Sequence, residues 1–503
     1  MINRICSPDT EFGERTAIID AGESFSYSRL QAESAATSQR LLDGSTDLEE
    51  ARVAFLMPPG FDYVATQGAI WRAGGIAVPL ALMYPRVELE YVLDDTQAAA
   101  VVVHPELRER VEPLARSRSI RLIENSSLTS TSTAPHLEID PSRRAMILYT
   151  SGTTSRPKGV VTTHATIQAQ VESLVEAWEW SRDDHILNVL PMHHIHGIIN
   201  VQCCALWSGA TCEFLTPFDA NRVLNRFADG DLSLFMAVPT IYSKLISAWE
   251  QLAPDRRRAV SEGCQRMRVM VSGSAALPVS TLERWHEISG HVLLERYGMT
   301  EIGMGLSNPL HGDRAPAHVG RPLPGVEVRR SDESGGGVTD DSVPGEIEVR
   351  GDTVFREYWN RPEATREAFR DGWFRTGDVA VVEDGAYRIL GRNSVDIIKT
   401  GGYKVSALEI EEVLRGHPSI RECAVVGVPD DEWGERVAAA IVCDTDDAEL
   451  DLASLREWAR ELLAPYKLPT RLQVVESLPR NAMGKVQKPE VRLLFGTGQN
   501  AES

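Results

Sequence analysis

Short apolar runs that end at turns of small residues, spaced by helix-length segments, constrain the fold of this chain more than any other feature. Val53–Met57 leads into Pro58-Pro59-Gly60, Ala99–Val103 follows a helical stretch, and Val269–Val271 stops at Ser272-Gly273-Ser274. Buried strands alternating with helices build βαβ units, because a parallel neighbour is reached only through a crossover, usually a helix. Open sheets of that kind take ligands at the carboxyl ends of their strands, where these turns fall. From about residue 318 the texture changes to short, turn-rich segments. Ser331–Gly337 has the composition of a flexible loop, and Gly345–Gly351 alternates like a half-buried strand. A small antiparallel or barrel-like subdomain is expected there. After Gly391-Arg392-Asn393-Ser394 a compact α+β segment follows, with 407–415 and 452–463 as amphipathic helices.

A chain of 503 residues exceeds one hydrophobic core. The fold class is therefore α/β, with a large N-terminal domain of mixed and parallel sheets and helices plus the barrel-like subdomain. A small α+β C-terminal domain completes it, with the expected boundary at 392–395, between 1–392 and 396–503.

A net charge of −20 argues against nonspecific binding to nucleic acid or to an anionic membrane. It leaves an anionic substrate open, since a few local cations set the field in a cleft. Seven scattered cysteines without a C-x-x-C pair fit neither a disulfide scaffold nor a structural zinc site, and a reducing compartment is expected. No run approaches the length of a membrane span, and Met1–Pro8 lacks the apolar core of a signal peptide. The cytosol is the expected location, with an organelle open if a transit peptide has been removed.

One run carries unusual chemistry. Tyr149-Thr150-Ser151-Gly152-Thr153-Thr154-Ser155-Arg156-Pro157-Lys158-Gly159 follows the strand-like Ala145–Leu148 and holds five aliphatic hydroxyls, two glycines and two cations. Freed backbone N–H groups, hydroxyls and a lysine are what a polyphosphate needs around it. Composition alone leaves a phosphate cradle and a solvated loop equally open. The Walker A spacing is absent. Five further polar segments sit in turn-like settings: Pro191–Gly197, Gly273–Leu277, Glu295–Glu301, Trp373–Asp378 and Leu478–Lys485.

In this order the six segments resemble the adenylate-forming, acyl-activating superfamily, which includes acyl-CoA synthetases and luciferases, over nearly the whole chain. The resemblance implies that a carboxylate attacks the α-phosphate of Mg-ATP to give acyl-AMP and pyrophosphate, after which a thiol, usually that of coenzyme A, displaces AMP. It implies that Thr150, Ser151, Gly152, Thr153, Thr154 and Lys158 embrace the phosphates and that Thr153 and Glu301 hold Mg2+. Tyr297 would stack on adenine beside Gly273 and Ala275, with Glu295 and Thr300 at the nucleotide. Asp378 and Arg392 would bind the ribose. Lys485 is the expected adenylation catalyst, with Glu301 and His194 as further catalytic residues, His194 at the acyl and pantetheine pocket. Gly401, Gly402, Tyr403 and Lys404 would line the pantetheine tunnel, with Ser394 in a hinge, 393–395, about which a small mobile C-terminal domain, 396–503, rotates between the two half-reactions. Ser155 stands where the family usually has glycine, and Ser394 where many relatives have Asp or Lys.

Val271–Pro278, Leu294–Glu301, Ala464–Thr470 and the Lys485 segment resemble the malonyl-CoA synthetase branch. That implies Arg296 and Ser274 on the distal carboxylate of malonate, with Lys244 as a second cation where relatives tend to have arginine. Lysine keeps the charge but loses the bidentate fork. A structural ion pair at Arg296 is the bland reading, as is a structural role for the triplet His193, His194, His196. The expected partners are malonate, ATP and coenzyme A, in a monomer or homodimer. Methylmalonate or another small acid, carrier-protein loading, and a catalytically dead nucleotide-binding regulator are the rival readings.

Overall fold

The structure, a computed structural model, describes residues 12–125, 137–150, 157–393, 395–401, 403–430, 433–443, 450–480 and 486–496. The chain packs as two compact units, Met1–Val328 with Val349–Phe374, and Arg329–Glu348 with Arg375–Ser503.

The first unit holds the βαβ units that the alternation predicts. A seven-stranded sheet carries Arg52–Leu56 between Ile76–Pro79 and Ala100–Val103, all parallel, and reaches Arg144–Thr150 and its antiparallel partner Lys158–Thr163. A nine-stranded sheet runs through Leu234–Ala237, Val269–Ser272 and Leu294–Met299 in parallel, then turns antiparallel at Gly303–Ser307. Strands such as Val269–Ser272 are buried throughout because helices cover both faces of a parallel sheet.

One layer beneath that sheet matters for the site. Phe227, Phe235, Tyr242 and Trp285 pack edge to face, with centroids 4.9 Å apart for Phe227–Phe235 and 5.3 Å for Tyr242–Trp285. Each is fully buried, which contributes about 1.5–3 kcal/mol per ring from apolar burial. The Tyr242 hydroxyl donates to the Val271 carbonyl at 2.9 Å, so this aromatic layer holds the strand that ends at Gly273. The helix Pro239–Glu250, which carries Tyr242, begins on proline, whose missing N–H costs nothing at a first turn.

In the second unit the strands Ile420–Asp430 and Gly434–Cys443 pair antiparallel, with one register shift between Ile420 and Glu422 and regular pairing from Glu422 to Asp430. Alternate residues serve two cores: Val425, Ala439 and Ile441 pack with Ile410, Leu414 and Leu455, while Ala424, Val426, Ala438 and Ala440 pack with Leu478 and Val491. Ser406 caps the helix Ala407–Arg415 through the Glu409 amide. The next helix is shorter than expected, Leu452–Ala459, and gives way to a turn in which the Leu462 amide closes on the Ala459 carbonyl three residues back.

Candidate active site

Arg296 is the centre of the arrangement in the first unit. It stands on Leu294–Met299, paired with Val269–Ser272 so that Ser272 lies opposite Glu295. Only 3% of Arg296 is exposed. A Cβ added at Gly273 would meet its guanidinium carbon at 2.6 Å, so glycine lets the turn lie directly on the cation. Both Arg296 Nη atoms face Ser274 Oγ at 3.4 Å. Ser274, with φ of 69°, is exposed, as is Ala275. Among the described residues no carboxylate forms an ion pair with Arg296, so the bland reading of a structural ion pair finds no partner there. Burial lowers its pKa to about 9, which leaves it protonated at neutral pH. A buried cation without a counter-ion is costly and awaits an anion.

A second group joins the phosphate-loop flank to Glu301. Thr150 pairs with Lys158 and Tyr149 with Gly159 across the antiparallel strands that bracket the loop. Lys158 Nζ lies over the Tyr358 ring, 4.9 Å from its centre, and the Tyr358 hydroxyl donates to Glu301 Oε1 at 2.9 Å. Tyr358 was not foreseen, because nothing in its local sequence marks it. Tyr297 and Thr300 are half-buried on the same strand and turn, and Glu295 is buried, its carbonyl accepting from Asn308.

The three histidines of Pro191–Gly197 pack closely. His193 and His194 have ring centroids 4.1 Å apart, and His196 Nδ1 lies 3.4 Å from Ser274 Oγ. Burial brings His194 down to about 4 and, with His194 beside it, His193 down to about 3. Burial, then the charge of Arg296, holds His196 well below the usual imidazole range. All three are neutral near pH 7. The sequence placed His196 in the triplet but gave it no partner, and only folding brings it to Ser274.

Lys244 takes another position. It is exposed on Pro239–Glu250, its ammonium 5.8 Å from the centre of the Phe218 ring, in a groove shared with Asn221, Ser247 and Gln251. No hydrogen bond or ion pair in the structure joins it to Arg296 or Ser274.

In the second unit Asp378 and Arg392 face each other across the hairpin Trp373–Glu383 and Ala386–Arg392, with Arg392 Nε donating to Asp378 Oδ1 at 3.2 Å. The Glu346 carboxylate, accepting from the Gly377 amide at 3.1 Å and from Arg375, holds the turn. Gly401 donates its N–H to the Trp433 carbonyl and has φ of 54°, where a Cβ would meet the Trp433 ring at 2.8 Å. Tyr403 is half-exposed and stacks on Tyr466, with ring centroids 4.3 Å apart. Ser151, Gly152, Thr153, Thr154, Ser155, Ser394, Gly402 and Lys485 lie outside the described residues, as does the side chain of Lys404.

The glycine turn over the buried Arg296 lies at the carboxyl end of a parallel strand, where open α/β sheets take their ligands. The family profile described as AMP-binding enzyme matches residues 8–359, and that of the AMP-binding enzyme C-terminal domain matches residues 409–485. The chain belongs to the AMP-binding enzyme family. A Xenopus laevis protein named malonate–CoA ligase ACSF3, mitochondrial, is 48% identical over 523 residues, covering 96% of this chain and 90% of that protein. ATP-bound MatB from Rhodopseudomonas palustris is 34% identical with a TM-score of 0.89 over 98% of each chain. A malonyl-CoA ligase ternary product complex with methylmalonyl-CoA and AMP bound is 34% identical with a TM-score of 0.69, over 94% of this chain and 99% of that one.

Proposed function

We propose that this chain is an AMP-forming malonate–CoA ligase, which joins malonate to coenzyme A through malonyl-AMP and releases AMP and pyrophosphate. The observation that carries the choice of acid is the guanidinium of Arg296, buried under Gly273 and Ser274 and paired with no carboxylate among the described residues. A dicarboxylate needs one carboxylate free to react and the other fixed by a cation. The relatives named above as malonate–CoA and malonyl-CoA ligases support the same acid.

Catalysis is then mostly alignment and charge neutralisation, because two anions must meet. Thr150, Lys158 and the loop between them bind the phosphates, and Tyr297, Gly273, Ala275, Glu295 and Thr300 the adenine side. Asp378 and Arg392 bind the ribose, and Gly401, Gly402, Tyr403 and Lys404 the pantetheine. Lys485 bridges the attacking carboxylate and the α-phosphate, and His194, neutral, borders the acyl pocket. The segment 393–395 is the hinge and 396–503 the lid. Lys244 is retained as a candidate second cation for the acid, although it lies exposed in the groove of Asn221, Ser247 and Gln251.

Mg2+ fits the residues present. Glu301 supplies a buried hard oxygen whose orientation Tyr358 fixes, and a magnesium ion that arrives with phosphates needs only one or two protein carboxylates. Glu301 and Thr153 would hold it, and when bound it neutralises phosphate charge. The protein works as a monomer or homodimer in a reducing compartment, the cytosol or the mitochondrion that the Xenopus relative's name gives for that protein. No described helix is long and apolar enough to cross a membrane.

The test is CoA-dependent AMP formation with malonate, methylmalonate, succinate and acetate. Malonate or methylmalonate should be used far better than acetate, and equal use of acetate would defeat the assignment. Omitting CoA separates a ligase from an adenylating enzyme that loads a carrier protein.

A further inference from the structure

His196 stands beside the Arg296 cluster with no role yet assigned. It begins a π-helix, His196–Cys203, a form often found at functional sites because the wider turn re-aims side chains. It is 4% exposed, and its Nε2 is buried without a hydrogen-bond partner among the described residues. Its Nδ1 lies 3.4 Å from Ser274 Oγ, the oxygen that both Arg296 Nη atoms also face.

A guanidinium only donates, so the serine oxygen accepts from Arg296. With both Nη donors on its lone pairs the hydroxyl still has one proton to give, and the His196 tautomer protonated on Nε2 offers Nδ1 to accept it. Ser274 keeps a left-handed backbone (φ 69°), a conformation that a serine holds only where its surroundings hold it. We infer that His196 is a specificity-determining positioning residue, which orients the Ser274 hydroxyl so that it and Arg296 form one receptor for the remote carboxylate of a dicarboxylic acid.

The inference rests on the malonate reading and names what tunes its acid site. Burial and the Arg296 charge keep the imidazole uncharged, so the receptor carries one positive charge and matches one carboxylate. Contacts of 3.4 Å are loose, as such contacts often are before substrate completes a site. Without His196 the hydroxyl loses its acceptor and turns freely. The anion then meets an unoriented dipole while ATP binding is untouched.

The experiment compares kcat and KM for malonate and for propionate, which replaces the second carboxylate with a methyl group. The variants are His196→Asn, His196→Gln and His196→Leu. The Asn amide oxygen can stand where Nδ1 stands, whereas Gln reaches the Nε2 position. His196→Asn should keep the malonate-over-propionate ratio of kcat/KM within about threefold, and His196→Gln and His196→Leu should lower it at least about tenfold. The loss should come from the KM for malonate, with the KM for ATP unchanged. An unchanged ratio in His196→Gln, or an Asn variant as poor as the Gln variant, overturns the inference. The Asn–Gln pair decides even where the Leu variant does not fold. A wild-type chain that uses no malonate defeats the malonate reading itself, a separate result.

Discussion

At the scale of single residues, the isolation of Arg296 decides most. An exposed arginine at this point would be worth little to a carboxylate, since water screens it. Buried, with Ser274 as its hydrogen-bond partner, it gains a strong charged bond when an anion arrives. Replacing Arg296 with alanine should lower kcat/KM for malonate by about two to three orders of magnitude, from the roughly 2–5 kcal/mol typical of truncating a buried charge pair. Nucleotide affinity, read by isothermal titration with ATP, should change little. An Arg296→Ala enzyme with normal malonate turnover would rule out this role. The motif around Arg296 was legible from the sequence. Its lack of a salt bridge was not, because the absence of a carboxylate nearby is a property of packing.

At the scale of elements, one glycine and one histidine show how folding sets the sign of an effect. Gly263 lies inside the helix Pro254–Arg266, where glycine usually costs about 1 kcal/mol against alanine. Propensity alone therefore expects Gly263→Ala to stabilise. A Cβ there would sit 1.8 Å from the Phe227 carbonyl oxygen at the end of the helix Ala220–Asp229, and a backbone atom cannot step aside. Gly263→Ala should instead destabilise by about 3 kcal/mol, the upper end for overpacking, seen as a lower melting temperature in calorimetry. His193 sits between Tyr84 and His194, with a folded pKa of about 3 against an ordinary 6.5. Protons then bind the unfolded chain first, so this stability is complete above pH 6.5 and is lost as pH falls towards 3. Between pH 7 and pH 5 the loss is about 2 kcal/mol, from roughly 1.4 kcal/mol per pH unit. Urea unfolding of His193→Gln should show a pH dependence flatter by that amount over this range. An identical slope in the variant would mean that the imidazole is not held neutral.

At the scale of the whole molecule, two half-reactions should separate under mutation. Lys485→Ala should slow malonyl-AMP formation by at least about a hundredfold, as loss of a group acting only on transition-state charge does. Conversion of pre-formed malonyl-AMP to the thioester should continue at near the wild-type rate. Single-turnover assays of each step check this, and equal losses in both would place Lys485 elsewhere in the chemistry. Some of this protein was determined by its sequence alone. The alternation of apolar runs and helix-length segments determined parallel α/β sheets, whereas the two cores served by Ile420–Asp430 and Gly434–Cys443 emerged only on folding. Six ordered segments determined the kind of chemistry. These are local properties, carried by residues near one another along the chain. Only the tertiary structure decided that Tyr358 links Lys158 to Glu301, and that Lys244 lies exposed. It also decided that Arg296 meets Ser274 and His196, and no carboxylate among the described residues. Desolvation and charge pairing depend on what surrounds a group in space, and residues 196, 274 and 296 become neighbours only when the sheet is formed.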